Sequence, residues 1–218
     1  MYSNDANILD GRWILNYFVP EIVEYISNMQ EYILEQQEIS ILVNDNSEVN
    51  LKNIVYLSKK VKMLNIVTNN IDKFKKIEEY LYNKLGIMIT VTNNKKKSLM
   101  KSNIIINIDF VEEGINQYKI PIYATIFNVN NYTKIYSKRF SGVNAYNCVI
   151  SFPEKYTKMF GQYNIIEQFE KNILYESMIY RKDSFENIRL EIEENNSKIE
   201  YLMGNNGKID AREYKLLQ

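Results

Sequence analysis

Short apolar runs recur between residues 39 and 110, each closing on a polar, asparagine-rich corner: ISILVNDN (39–46), LNIVTNN (64–70), IMITVTNN (87–94) and NIIINIDF (103–110). Runs of this length, rich in β-branched residues, read as buried strands. The intervals carry helical periodicity. Leu51, Ile54, Val55, Leu57 and Val61 recur at three-to-four spacing in the first interval, and Phe74, Ile77, Leu81 and Leu85 in the second. Gly86 follows as a helix-ending glycine. A third, shorter helix is expected over KKKSLMKS (95–102). Strands alternating with helices predict βαβ units and a parallel sheet. Val43, Val67 and Val91 stand 24 apart, as do Asn46, Asn70 and Asn94, which is the length of one strand–helix unit.

The flanks follow different periods. Trp13, Tyr17, Ile22, Val23, Ile26, Met29 and Ile33 predict a long helix over 13–37, with Pro20 kinking it or marking its true start. A fifth strand is expected over 120–129, a sixth over 147–153, and an amphipathic helix over 163–182. In the tail, Leu190/Ile192 and Ile199/Tyr201 alternate about Asn195-Asn196, which predicts a small hairpin. Asp210 and Glu213, three apart, have the spacing of a helix capping box. The expected fold is α/β: a Rossmann-like, doubly wound, mostly parallel sheet with flanking helices and a small C-terminal hairpin/helix appendage. The expected divisions are an N-terminal helix packing on the domain (1–38), the Rossmann-like domain (39–182) and the hairpin with its short helix (183–218).

Composition narrows the chemistry. The chain has no histidine, which removes Ser-His-Asp and Cys-His catalytic units and His-ligated metal sites. Its one cysteine, Cys148, cannot form an internal disulfide, and its apolar setting in NCVISF predicts an inert buried thiol. Charges balance at 27 Lys plus Arg against 27 Asp plus Glu, so nucleic acid is not an expected partner. No apolar run approaches the length of a membrane span, and a cytoplasmic protein with no membrane partner is expected. The abundance of Ile, Asn, Lys and Tyr matches AT-rich codons.

In an open parallel sheet, ligands bind beyond the carboxyl ends of the strands. The corners predicted there supply a candidate ligand-binding rim of Asn44, Asp45, Asn46, Thr68, Asn69, Asn70, Thr92, Asn93, Asn94 and Asp109. The same residue types suit βα turns for local reasons, since they form Asx-turns and cap helices. Lys95-Lys96-Lys97 is a compact basic cluster beside the rim, able to meet a phosphate or an acidic partner or simply to stay solvated. Asn206-Gly207-Lys208-Ile209-Asp210 with Glu213 matches the later half of an EF-hand loop. Leu202 and Gly204 stand where calcium needs carboxylates, so no metal is expected there.

The element order resembles the dinucleotide-binding half of Rossmann oxidoreductases, and within them the cofactor domain of shikimate-dehydrogenase-like enzymes. Asp10-Gly11, the turn at 39–50, IVTNNIDKFKKIEEYL and SNIIINIDF carry the likeness, over about residues 8–130. The resemblance implies NAD or NADP as cofactor and a glycine-rich turn after the first strand. The glycine positions hold Asn44, Asn46, Ser47 and Asn50, and Asn69 stands where an NADP-preferring member places arginine. Side chains there would fill the space of a pyrophosphate, and Asp45 and Glu48 would repel it.

Three readings follow. In the first, the protein is a degenerate, non-catalytic Rossmann-like domain with no cofactor, binding a small ligand or a protein partner, a second copy of the chain included. In the second, it is an NAD(P)-dependent oxidoreductase with an atypical first turn, drawing acid–base function from Asp10, Asp45 or Asp109 with Lys95 or Lys97. In the third, it is an assembly protein docking through its tail.

Overall fold

A computed structural model describes residues 9–161, 170–180 and 184–215. Eight strands among them form one sheet: β1 (Glu38–Leu42), β2 (Met63–Val67), β3 (Ile89–Thr92), β4 (Ile104–Asn107), β5 (Thr125–Asn128), β6 (Val143–Ile150), β7 (Ile199–Gly204) and β8 (Gly207–Lys208). Their spatial order is β3-β2-β1-β4-β5-β6-β7-β8. The pairings from β3 through β6 are parallel, and β7 and β8 add antiparallel. This is the Rossmann-like, mostly parallel arrangement expected from the alternating pattern. Chain order reverses between β1 and β4, and that switch point opens the crevice of such folds beyond the carboxyl ends of the two strands.

Alternate strand residues separate the two faces. Ile39 and Ile41 of β1, Ile66 of β2, Ile104 and Ile106 of β4 and Phe127 of β5 join the main core. Helices α1 (Val19–Met29), α2 (Glu48–Ser58) and α3 (Ile71–Leu85) contribute Ile22, Ile26, Ile54, Leu57, Phe74 and Leu81 to the same core. Leu42, Val67, Ile105 and Ile126 point the other way, into a smaller cluster closed by Leu99, Phe110, Ile115 and Tyr118. That second face is covered by irregular chain and one short helix, α4 (Glu112–Ile115). Burying each such aliphatic side chain stabilises the fold by roughly 1.5–3 kcal/mol.

The expected helix over 13–37 is instead three pieces. A 3-10 turn spans Trp13–Tyr17, Pro20 sits in the first turn of α1, and a second 3-10 turn spans Leu34–Gln36. Glu31 adopts φ 58°, and the Tyr32 N–H bonds Ser27 O at 2.9 Å, closing α1 in a Schellman-type cap. The expected helix over 95–102 is a series of tight turns. Asn94 Oδ1 accepts from Lys96 and Lys97 N–H as a helix N-cap would, and Ser98 N–H bonds Asn94 O at 3.1 Å. The bonds that follow, Met100 N–H to Lys97 O and Ser102 N–H to Leu99 O, span only three residues, and the chain continues as turns. Thr125–Asn128 is the ordered core of the fifth strand, and the sixth begins at Val143, ahead of its expected start. Of the helix expected over 163–182, residues 171–179 form α6 (Lys171–Ile179), residues 170 and 180 are its caps, and residues 163–169 and 181–182 lie outside the described residues.

The hairpin expected about Asn195-Asn196 is a helix end. α7 (Phe185–Glu194) buries Ile188 and Ile192, while Leu190, the residue that made the segment look alternating, is 55% exposed. Asn196, at φ 49°, terminates α7 as a left-handed residue, with Ser197 N–H bonding Ile192 O. Asparagine tolerates this conformation in either context, so the signal was real but assigned to the wrong element. The hairpin falls between β7 and β8 at Asn205-Asn206 and leads into α8 (Ala211–Lys215). There the Glu213 carboxylate accepts from Asp210 N–H at 2.8 Å, the return half of the capping box.

One ion-pair cluster fastens α5 (Glu154–Gly161) to α7. Burial opposes charge on Glu191, yet hydrogen bonds from Lys155, Tyr156 and Asn195 and the charge of Lys155 bring its carboxyl down to about 2. A depressed carboxyl contributes stability that is present above its ordinary pKa of 4.5 and lost as pH falls towards 2. Glu191→Gln therefore flattens this part of the acid limb of a stability–pH curve measured by urea unfolding. An acid limb unchanged from wild type between those pH values would show that Glu191 does not carry it.

Candidate functional site

The loop after β1 and the loop after β4 face each other at the switch point. Ile108 N–H bonds Leu42 O at 2.9 Å, which leaves Asn44 and Asp109 as the next residues out on neighbouring strands. The Asp109 carboxylate turns back across this gap. It accepts from Asn44 N–H at 2.8 and 2.9 Å through its two oxygens, from Asp45 N–H at 2.8 Å, and from Asn44 Nδ2 at 3.3 Å. Successive main-chain N–H groups after the first strand are the donors that meet a pyrophosphate in dinucleotide-binding folds. Here a carboxylate of the same chain occupies them. Burial, its largest influence, and the nearby charge of Asp45 push the Asp109 carboxyl above the usual range, against the donors that favour its ionised form.

The rim divides into two groups. Asn44 Oδ1 accepts from Asn69 N–H at 2.8 Å and from the Thr68 hydroxyl at 3.4 Å, and Asn70 Nδ2 donates to Asn44 O at 3.4 Å. Thr68 Oγ1 in turn accepts from Asn70 N–H at 3.0 Å. Asn44, Asp45, Thr68, Asn69, Asn70 and Asp109 thus form one network tying the ends of β1, β2 and β4. Thr92 and Asn94 belong to a separate corner, where Thr92 Oγ1 accepts from Asn94 N–H at 3.1 Å. Asn46 and Asn93 are exposed. Asn50, one of the residues at a glycine position, is buried and donates to Asp45 O at 3.0 Å, so its side chain braces the turn from inside.

Two neighbouring features were not read from the sequence. Arg12 reaches over the end of β5, its guanidinium donating to Val129 O at 3.0 Å, Asn130 O at 3.1 Å and Tyr146 O at 3.3 Å. Asn16 donates to Asn130 Oδ1 at 3.2 Å, and Asn53 of α2 donates to Asn16 O at 2.7 Å. The segment around the first 3-10 turn therefore lies against the end of β5. Glu176 on α6 anchors it by accepting Ile14 N–H at 3.2 Å; burial raises that carboxyl. Gly11 permits the approach, with φ +76° and the Asn172 Cβ 3.1 Å from where its own Cβ would stand.

On the other face, an amide chain links the last residues of β4 and β5 to Asn144 near the start of β6. Asn107 Nδ2 donates to Asn128 Oδ1 at 3.0 Å, Asn128 Nδ2 to Asn144 Oδ1 at 2.8 Å, and Asn144 Nδ2 to Thr133 O at 2.8 Å. The recurrence of Asn as the last residue of IIIN and TIFN was the available signal, since Asn107 and Asn128 are register partners.

The chemistry of the remaining candidates is limited. Cys148 is fully buried and burial pushes its thiol up, as expected of an inert core cysteine. Among the described residues, no group of three or more His, Cys, Asp or Glu side chains is placed to hold a metal ion, and no helix is long and apolar enough to cross a membrane. The rim has hydrogen-bonding amides and hydroxyls; Lys95, Lys96 and Lys97 are exposed beside its third corner and are not part of it.

No protein-family model and no curated protein matches the chain. Solved structures similar to it in part include a protein assigned as an aspartate carbamoyltransferase from Trypanosoma cruzi, at 11% identity and a TM-score of 0.33, over 52% of this chain and 37% of that one. Another is the Δ(1)-pyrroline-2-carboxylate reductase of Thermococcus litoralis in complex with NADH and L-proline, at 15% identity and a TM-score of 0.31, over 51% and 36%. The likeness is to part of an α/β framework, and the chain spans little more than a third of either neighbour.

Asp109→Ala removes the acceptor from the Asn44 and Asp45 N–H groups. Urea unfolding near neutral pH is expected to show a loss of about 1–3 kcal/mol, the range for stranding partly buried donors. Unchanged stability would mean that solvent satisfies the turn equally well.

Proposed function

We propose that this chain is a Rossmann-like protein without hydride-transfer chemistry, acting by binding a small ligand or a protein partner at the polar rim of the sheet. The observation that carries this reading is the Asp109 carboxylate on the Asn44 and Asp45 N–H groups. An NAD or NADP pyrophosphate needs those donors, and would meet instead a carboxylate, the neighbouring Asp45 and the side chain of Asn44. Displacing Asp109 costs its hydrogen bonds and brings like charges together. Likeness to shikimate-dehydrogenase-type enzymes enters this reading only as a resemblance in the order of elements.

Beyond the carboxylates of Asp45 and Asp109, what the rim offers a ligand is neutral and directional. Asn46, Asn69 and Asn93 are exposed amides on consecutive corners, able to donate and accept towards an uncharged polar ligand or a partner's main chain. Thermal unfolding with NAD, NADP and nucleoside phosphates tests the reading. The expected result is an unchanged Tm with every dinucleotide. A saturable upward shift with NAD or NADP would restore the oxidoreductase reading and remove this one.

A further inference from the structure

The balanced total charge conceals a segregation. Residues 93–141 hold eight basic residues, from Lys95 to Arg139, against the acidic Asp109, Glu112 and Glu113, whereas the rest of the chain has 19 basic and 24 acidic. All eight cations are exposed, and among the described residues none takes part in an ion pair. They also share one layer. Lys119 N–H bonds Lys95 O at 2.8 Å, Tyr136 N–H bonds Asn116 Oδ1 at 2.8 Å, and Ser141 N–H bonds Ile122 O at 2.9 Å. These contacts join three stretches of irregular chain over the sheet face opposite α1, α2 and α3. The layer buries Leu99, Phe110, Ile115 and Tyr118 inward and turns its lysines outward.

Apolar side chains stand out from one end of this layer. Met100 is 50% exposed, Ile122 44% and Tyr123 52%. They belong together because the chain after Met100 enters β4, the chain after Tyr123 enters β5, and the two starts are paired, with Thr125 N–H on Asn103 O at 2.8 Å. Lys101 follows Met100 directly, and the Ser141–Ile122 bond brings the stretch carrying Lys138 and Arg139 alongside.

Against the expectation of no membrane partner, we propose that this basic face docks on a lipid bilayer bearing anionic headgroups, with Ile122, Tyr123 and Met100 entering the headgroup–acyl boundary. Unpaired lysines over a broad face match a diffuse negative surface, which attracts them additively. Aliphatic and tyrosine side chains at the edge of such a face are the residue types that settle at the membrane interface. A nucleic-acid strand fits less well. Seven of the eight cations are lysines, which lack the planar fork that pairs with phosphate, and the protruding Ile122 and Met100 stack on no base.

Sedimentation of the full chain with vesicles tests the proposal, using phosphatidylcholine alone and phosphatidylcholine mixed with phosphatidylglycerol. The protein is expected to pellet with the mixed vesicles only, and less so as NaCl is raised. The triple variant K96E/K97E/K101E is expected to weaken that binding by about tenfold or more. Ile122→Ser with Tyr123→Ser weakens it while leaving its salt dependence in place. Both variants alter exposed side chains, and an unchanged Tm confirms their folding. Absence of pelleting with the mixed vesicles, equal pelleting with both vesicle types, or undiminished binding by the triple variant overturns the proposal. So does tighter binding to a single-stranded oligonucleotide or an acidic peptide, either of which would then be the partner. No rim residue takes part, so failure here leaves the non-catalytic reading standing.

Discussion

Two successive main-chain N–H groups beyond the end of β1, at the switch point of the sheet, need an acceptor, and the Asp109 carboxylate supplies it. Much at the carboxyl end of the sheet depends on that contact. It fixes the turn between β1 and α2 against the corner after β4, and so sets where Asn44 stands. Asn44 then accepts from the corner after β2, which carries the tie across a third strand. Partly buried polar groups persist only when paired, and here the pairing is internal. The same contact gives the turn the negative charge that a phosphate would otherwise bring.

Other parts of the crevice are closed by the same logic. Arg12 satisfies three carbonyls beyond β5 and at β6, and Glu176 holds the segment that carries it. On the opposite face, the chain from Asn107 through Asn128 to Asn144 satisfies the amides at the ends of β4 and β5 and near the start of β6. These groups come from distant parts of the chain, yet each meets a main-chain or amide partner of this protein. What the crevice presents to solvent is then a rim of amides with the Asp45 carboxylate exposed among them, while the excess of positive charge lies in the layer over the smaller core.

The strands were legible because a parallel sheet buries both faces, and runs such as ISIL and IIIN admit few other readings. Helix α3 was legible down to its terminal glycine, which adopts the left-handed conformation at φ 67°. The misreadings share a cause. Glu31 and Asn196 both take positive φ and end helices, but the first gives no sequence signal and the second gives one that a hairpin shares. The exposed Leu190 supplied an alternation that packing does not use. At the site, the sequence placed Asn44, Asp45 and Asp109 on one rim but not the bonds between them. Asn44 lies 65 residues away from Asp109, and Arg12 lies 117 from Val129. Such pairings are set by strand order, which the local pattern does not encode.

The contact between Asp109 and the first turn can be observed directly by following the backbone amide resonances of Asn44 and Asp45 in titrations with acid and with inorganic pyrophosphate. Both amides should shift together as Asp109 takes up its proton, at a pH above the ordinary aspartate range, and neither should respond to pyrophosphate at neutral pH. Saturable pyrophosphate shifts at these two amides near neutral pH, or no response to acid, would contradict the account.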